Sequence, residues 1–207
     1  MSIILNKSNI MRLVLLFTSV VLLITSGCVR YARNVNSLYE PSSTVRGGTG
    51  EIYIIIPESQ QTQSPDIKWV FGDVTDGDNR KVDNVISPRS SAEIVQTALS
   101  LELKKGGYGI TLTSKHRDDE KWAIDISKTE IKLDQVSALA DIKATCRVLV
   151  GLNLYKNGQL VKRLQYESTS SKTDIKDRDL LAQYVLGDAL QSVMLKALPD
   201  IHNLFKP

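Results

Sequence analysis

From Ile142 to Leu154 every second residue is apolar: Ile142, Ala144, Cys146, Val148, Val150, Leu152 and Leu154, with Lys143, Thr145, Arg147 and Asn153 between them. A helix cannot give that period, so the pattern predicts a long strand with one buried face and one largely solvated face. Asn157-Gly158 then predicts a hairpin into a partner strand running from Gln159 to near Thr169. Its register follows from keeping one face apolar. A two-residue loop would set Leu152 against Arg163 and Val150 against Gln165. A three-residue loop, Lys156-Asn157-Gly158, sets Leu154 against Leu160, Val150 against Leu164 and Val148 against Tyr166. The second is expected, with a type I turn and Gly158 left-handed in a G1 bulge.

Three more segments read as strands. Glu51 to Pro57 is β-branched and compact, and Ile67 to Val74 ends in the turn Asp76-Gly77-Asp78-Asn79. Trp122 to Leu133 changes parity, from Ile124 and Ile126 to Ile131 and Leu133, which predicts a bulge between the two sets.

Two segments read as helices. Ser90-Ser91-Ala92-Glu93 has capping-box spacing, and Ile94, Val95, Ala98, Leu99 and Leu101 recur at helical intervals. Gly106-Gly107 supplies the stop, with Lys104 and Lys105 in the last turn, so a helix is expected over Ser91 to Lys105. Asp179 to Leu198 carries a wide apolar face of Leu181, Ala182, Val185, Leu186, Ala189, Leu190 and Val193. Gly187 between Ala182 and Ala189 suggests a close approach to the sheet, and Pro199 is expected to end the helix. Ile201, Leu204 and Phe205 would form a last docking turn. The order is strand, strand, helix, three strands, helix. It predicts an α+β fold with a mainly antiparallel sheet and two helices packed on one face.

The N-terminal segment follows a different logic. Lys7 and Arg12 precede an uncharged run from Leu13 to Gly27, which closes in Ser26-Gly27 directly before Cys28. A basic flank, an apolar middle and small residues at the end make a secretory signal. The apolar run, about 15 residues, falls short of the ~20 that span a bilayer. The cysteine at the cut site makes it resemble a bacterial lipoprotein signal, although Thr25 stands where leucine is usual. That resemblance implies diacylglycerol on Cys28, cleavage before it and acylation of the new N-terminus. It implies the periplasmic face of the outer membrane, because Val29 rather than Asp follows the cysteine. Either Met1 or Met11 can be the start. Residues 1–27 are thus expected as signal peptide, 28–50 as lipidated cysteine and flexible tether, and 51–207 as one periplasmic domain. The tether reading rests on Pro41-Ser42-Ser43-Thr44 and Gly47-Gly48-Thr49-Gly50, which lack phosphate-loop spacing.

Removing residues 1–27 takes away two of the 26 basic residues and none of the 23 acids, which leaves a nearly neutral chain. No basic run remains as a nucleic-acid footprint, so nucleic acid is not an expected partner. With Cys28 lipidated, Cys146 has no disulfide partner and is expected in the core as a small hydrophobe.

Catalytic chemistry is hard to find. His116 lies in a charged loop and His202 near the C-terminus, and neither has metal-ligand spacing. Asp73, Asp76 and Asp78 fail the EF-hand pattern and suit a turn. No serine sits in a nucleophile elbow. Tyr31, Tyr39, Trp69, Trp122 and Tyr155 are available to stack a ligand, but aromatics are only 6% of the chain, which argues against a dedicated platform. No catalytic, cofactor or metal residue is assigned, and no enzyme activity is expected.

The chain resembles the YajG-like family of small envelope lipoproteins over roughly residues 67–205. The resemblance rests on Val70-Phe71-Gly72-Asp73-Val74-Thr75-Asp76-Gly77-Asp78-Asn79-Arg80, on Ile94-Val95-Gln96-Thr97-Ala98-Leu99 and on Leu103-Lys104-Lys105-Gly106-Gly107-Tyr108. The hairpin Val148 to Tyr166 and Leu186-Gly187-Asp188-Ala189-Leu190 complete it. It implies location and architecture and supplies no catalytic residues. The expected function is a non-enzymatic binding or scaffold module, attached to the membrane through Cys28, with an envelope protein as partner. Two alternatives stay open. One is an auxiliary of lipid or lipopolysaccharide transport, with lipid as ligand in an apolar groove between helix and sheet. The other is a cell-wall enzyme, which needs paired carboxylates across a cleft.

Overall fold

A computed structural model describes residues 33–36, 39–116, 121–138, 141–174 and 178–205. Eight strands form one mixed sheet: β1 (Arg33–Asn34), β2 (Glu51–Ile55), β3 (Trp69–Asp76), β4 (Lys81–Ser87), β5 (Gly109–Thr113), β6 (Trp122–Ser137), β7 (Ile142–Lys156) and β8 (Gln159–Asp174). Helix α1 (Ser91–Gly106) lies between β4 and β5 in sequence, and α2 (Arg178–Phe205) follows β8. The α+β class is as expected, but the sheet is mixed rather than mainly antiparallel. β1/β4, β2/β5, β2/β6 and β3/β6 pair parallel, while β3/β4, β6/β7 and β7/β8 pair antiparallel.

Strand β6 organises the sheet. Its 16 residues pair with β7 along one edge from Trp122 to Ser137. On the other edge β2 takes Ala123–Asp125 and β3 takes Gln135–Ser137. At about 3.3 Å per residue β6 is about 50 Å long, so the two shorter strands fit end to end along it. The parity switch is where the pattern put it. The register shifts between Ile126 and Lys128, leaving Ser127 bulged, so that Ile124, Ile126, Ile131 and Leu133 all enter the core.

The β7–β8 hairpin reaches its register by another route than expected. Asn157 (φ 51°) and Gly158 (φ 73°) are both left-handed, the signature of a two-residue type I′ turn. The extra residue is absorbed one step later, at a bulge opposite Leu154, after which Leu152 faces Leu164 and Val150 faces Tyr166. The expected pairs Leu154–Leu160, Val150–Leu164 and Val148–Tyr166 do not form. The constraint that fixes the register, one apolar face, is the same. The strand rather than the turn supplies the slack.

Helix α1 has both halves of its capping box, Ser90 Oγ accepting from Glu93 N and Glu93 accepting from Ser90 N, and it stops at left-handed Gly107 (φ 106°). Helix α2 runs through Pro199 to Phe205 instead of stopping there. Proline removes the hydrogen bond to the carbonyl of Leu195, but Leu195 is half exposed, so water can take that acceptor. Val185, Leu186, Ala189, Leu190 and Val193 are fully buried. Gly187 does not mediate a close approach, because a Cβ there would meet nothing within 4 Å.

Much of the segment expected as flexible tether is packed structure. Tyr39 donates to Glu102 Oε1 at 2.6 Å, and the amides of Ser42 and Ser43 donate to the same carboxylate at 2.8 and 3.0 Å. Lys105 Nζ bonds the Pro41 carbonyl and Gln191 Nε2 the Glu40 carbonyl, so the strap is tied to both helices. Gly48 then passes beneath the Tyr108 ring, where a Cβ would lie 2.4 Å from the ring edge. The glycines read as linker give the chain room to lie flat against the domain. The tether expected before Arg33 lies outside the described residues.

Candidate functional site

A polar opening adjoins the place where β6 exchanges one neighbour for another. A cleft of about 320 Å³ is bounded by the bulge Ser127, by Lys128 and Thr129, by the first turn of α1 at Ser90, Ser91 and Ala92, and by Ser59, Gln60 and Trp69. Open sheets place crevices at such switch points because adjacent connections diverge there. Here β2 leads into the one-turn 3-10 helix Glu58–Gln60, while β3 begins at Trp69 on the other side.

Behind one wall runs a continuous hydrogen-bond chain that joins lining residues Trp69, Ser90 and Gln60 through Thr62 and Glu93. Trp69 Nε1 donates to Thr62 Oγ1 (2.9 Å), Thr62 Oγ1 to Glu93 Oε2 (2.5 Å), and Glu93 Oε2 accepts from Ser90 N (2.8 Å). Ser90 Oγ in turn donates to the Gln60 carbonyl at 2.5 Å. Partial burial works against the charged Glu93 carboxylate, but the bonds from Thr62 and Ser90 outweigh it and hold the group below the usual carboxylate range. Across the cleft Ser91 Oγ and Thr129 Oγ1 lie 2.9 Å apart. Gln60 Oε1 is shielded from solvent and has no hydrogen-bond partner among the described residues.

Lys128 is the one ionisable side chain in the lining. Ser90 and Ser91 are bonded to a carbonyl and a hydroxyl, not to a base that could take a proton. The site therefore offers hydroxyls, an amide, an ammonium and an indole to a polar visitor.

The sequence-predicted residues are scattered. Cys28 and Tyr31 lie outside the described residues. Cys146 is a buried free thiol, pushed up to about 12 by burial and by the charge of Asp134, as suits a core residue. Asp76 serves its turn, with Oδ1 accepting from the amides of Asp78 and Arg80 at 2.9 Å each, while Asn79 takes φ 60°. Asp73 pairs with Lys81 at 2.6 Å. His116 packs edge-on against Tyr155, and His202 Nδ1 is hydrogen-bonded to the Tyr108 hydroxyl at 2.7 Å. Trp122 stacks on Phe205 beneath the Lys156 ammonium, and Tyr39 is held by Glu102, so only Trp69 of the described aromatic candidates borders the cleft. Sequence reading singled out Ser90 and Glu93 as caps and missed that Ser90 borders a cleft while Glu93 braces it from behind. The signal was present in the polar run Glu58 to Gln63, whose Thr62 hydroxyl finds its partners outside the run, in Glu93 and Trp69.

No family model matches the chain, and no curated protein matches it in sequence. Solved structures do resemble it. A minor lipoprotein from Acinetobacter baumannii is 8% identical with a TM-score of 0.45, covering 74% of this chain and 93% of that one. A Xanthomonas campestris protein of the family DUF330 is 13% identical with a TM-score of 0.45, covering 85% and 95%. Rare lipoprotein B from Shewanella oneidensis is 11% identical with a TM-score of 0.29, covering 64% and 91%. Likenesses this distant assign neither family nor activity. Among the described residues no helix is long and apolar enough to cross a membrane.

Proposed function

We propose that this protein is a lipid-anchored, non-enzymatic binding module of the bacterial envelope. It is held by acyl chains on Cys28 at the periplasmic face of the outer membrane and recognises a protein partner. The observation that carries the reading is the cleft beside the Ser127 bulge. Its lining offers the Ser91 and Thr129 hydroxyls, the Gln60 amide, the Lys128 ammonium and the Trp69 indole to a polar segment. An extended polar segment of a partner, rich in backbone N–H donors, fits that chemistry. The run Ser26-Gly27-Cys28 and the YajG-like resemblance support the location. Cys28 and Arg33 are five positions apart, at most about 18 Å of extended chain, so the anchored domain works close to the bilayer.

The lipid-transport alternative asks for an apolar groove between helix and sheet, and along α2 that space is filled by fully buried side chains. The cell-wall-enzyme alternative asks for two facing carboxylates, and the cleft lining has none.

The test has two arms. Metabolic palmitate should label the protein and not its Cys28→Ser variant, which should leave the membrane fraction. A photo-crosslinker at Lys128 should capture one envelope protein in living cells, while the same probe at Tyr184, exposed on α2, should not. Unlabelled protein overturns the anchor. Equal capture from both positions, or a hydrolytic activity abolished by Ser91→Ala, overturns the binding role.

A further inference from the structure

We propose that two copies of this chain pair antiparallel through the outer edge of β8, about a two-fold axis at Gln165. β8 is 16 residues long and, among the described residues, pairs with β7 on one side only and is the last strand of its branch of the sheet. A strand of that length with one open edge is a template for another strand.

The register is decided by charge. About Gln165, Arg163 of each copy faces Glu167 of the other on the solvent face, and Leu164 faces Tyr166 on the helix face. Moving the axis to Tyr166 sets Arg163 against Thr169 and Glu167 against Gln165. Moving it to Leu164 sets Glu167 against Val161 and Tyr166 against Lys162. Only the first pairs opposite charges and apolar side chains together. Glu167 already receives Arg147 Nε at 2.6 Å and Nη2 at 3.0 Å, and a carboxylate has lone pairs for a second guanidinium.

The helix layer tolerates this pairing. α2 covers both β7 and β8, held along β8 by Lys172–Asp188 (2.6 Å), Lys196 to the Glu167 carbonyl (2.9 Å) and Tyr166 to Asp200 (2.5 Å). An axis lying between two strands is carried to about 10 Å from its mate across one further strand spacing, which is helix-packing distance. Leu195, half exposed, lies in the stretch of α2 beside the proposed axis. Lys196 must release the Glu167 carbonyl for the strands to join, so Lys196 acts as a guard on this edge.

Full-length protein extracted in mild detergent should be dimeric by light scattering. Arg163→Glu and Glu167→Arg each set like charges against one another and should be monomeric alone. Co-expressed with different tags, the two should co-purify as a heterodimer, at least tenfold above either like pair. The milder Arg163→Gln should weaken self-association about tenfold with an unchanged melting temperature, and Lys196→Ala should strengthen it. A monomeric wild type, charge variants that still dimerise alone, or a mixture that fails to restore pairing would each overturn the proposal.

Discussion

The Tyr39 hydroxyl donates to the buried Glu102 carboxylate across 63 residues of sequence. Two strap amides converge on the same group, so Glu102 is the acceptor that fixes the chain entering the domain. Burial, then the Glu102 bond and charge, raise the Tyr39 phenol well above its ordinary value, so the hydroxyl keeps the proton it donates. Glu102→Ala should cost about 3 kcal/mol, since it strands three donors. Tyr39→Phe should cost about 1 kcal/mol. Urea denaturation measures both, and limited proteolysis should cut Glu102→Ala first within residues 39–46.

Glu93 gives the fold an acid-sensitive joint. Its folded pKa lies below the unfolded value, so its contribution is complete above the unfolded carboxylate pKa of about 4.3 and fades as pH falls through the lower folded value. Glu93→Gln should lose about 1 kcal/mol at pH 7, the usual scale of a cap, and should show a flatter stability profile between pH 5 and pH 3. Chemical denaturation at several pH values checks it.

Two glycines should respond in opposite directions. A Cβ at Gly72 would sit 2.0 Å from the Leu133 carbonyl oxygen, which no side-chain adjustment can relieve. Gly72→Ala should therefore push β3 from β6 and cost about 3 kcal/mol. Gly187 sits in the middle of α2 with open space around it, and Gly187→Ala should raise stability by about 1 kcal/mol. Thermal melts of the two variants give the comparison.

Cys146 should be chemically silent in the native protein. Burial and the Asp134 charge keep its thiol protonated. A thiol reagent at pH 8 should leave it unmodified in buffer and modify it fully in denaturant.

Local pattern made α1, β7 and the β6 bulge legible, because each is written in a short run: a capping box and paired glycines, strict alternation, and a change of parity. β4 and β5 escaped, because strands of seven and five residues alternate weakly, and β5 pairs only with the sequence-distant β2. The sheet came out mixed because parallel pairings such as β2 with β6 leave no turn signal between the paired strands. The strap was misread because proline and glycine suggest slack. The corrective was Glu102, a charge four residues after Ala98 on the buried stripe of α1, which had to find donors somewhere. The cleft was invisible because serines are too common to mark a site until topology gathers them.

β6 touches β2, β3 and β7, partners brought from both directions along the chain. No peripheral piece can peel away and leave that strand half-supported, so losing it means losing the domain. Its central amides should exchange with deuterium only through global opening, at rates matching those of central β7, while the outer strand β5 exchanges sooner. Such a spine makes unfolding all-or-none, so one melting transition should report the loss of every strand at once.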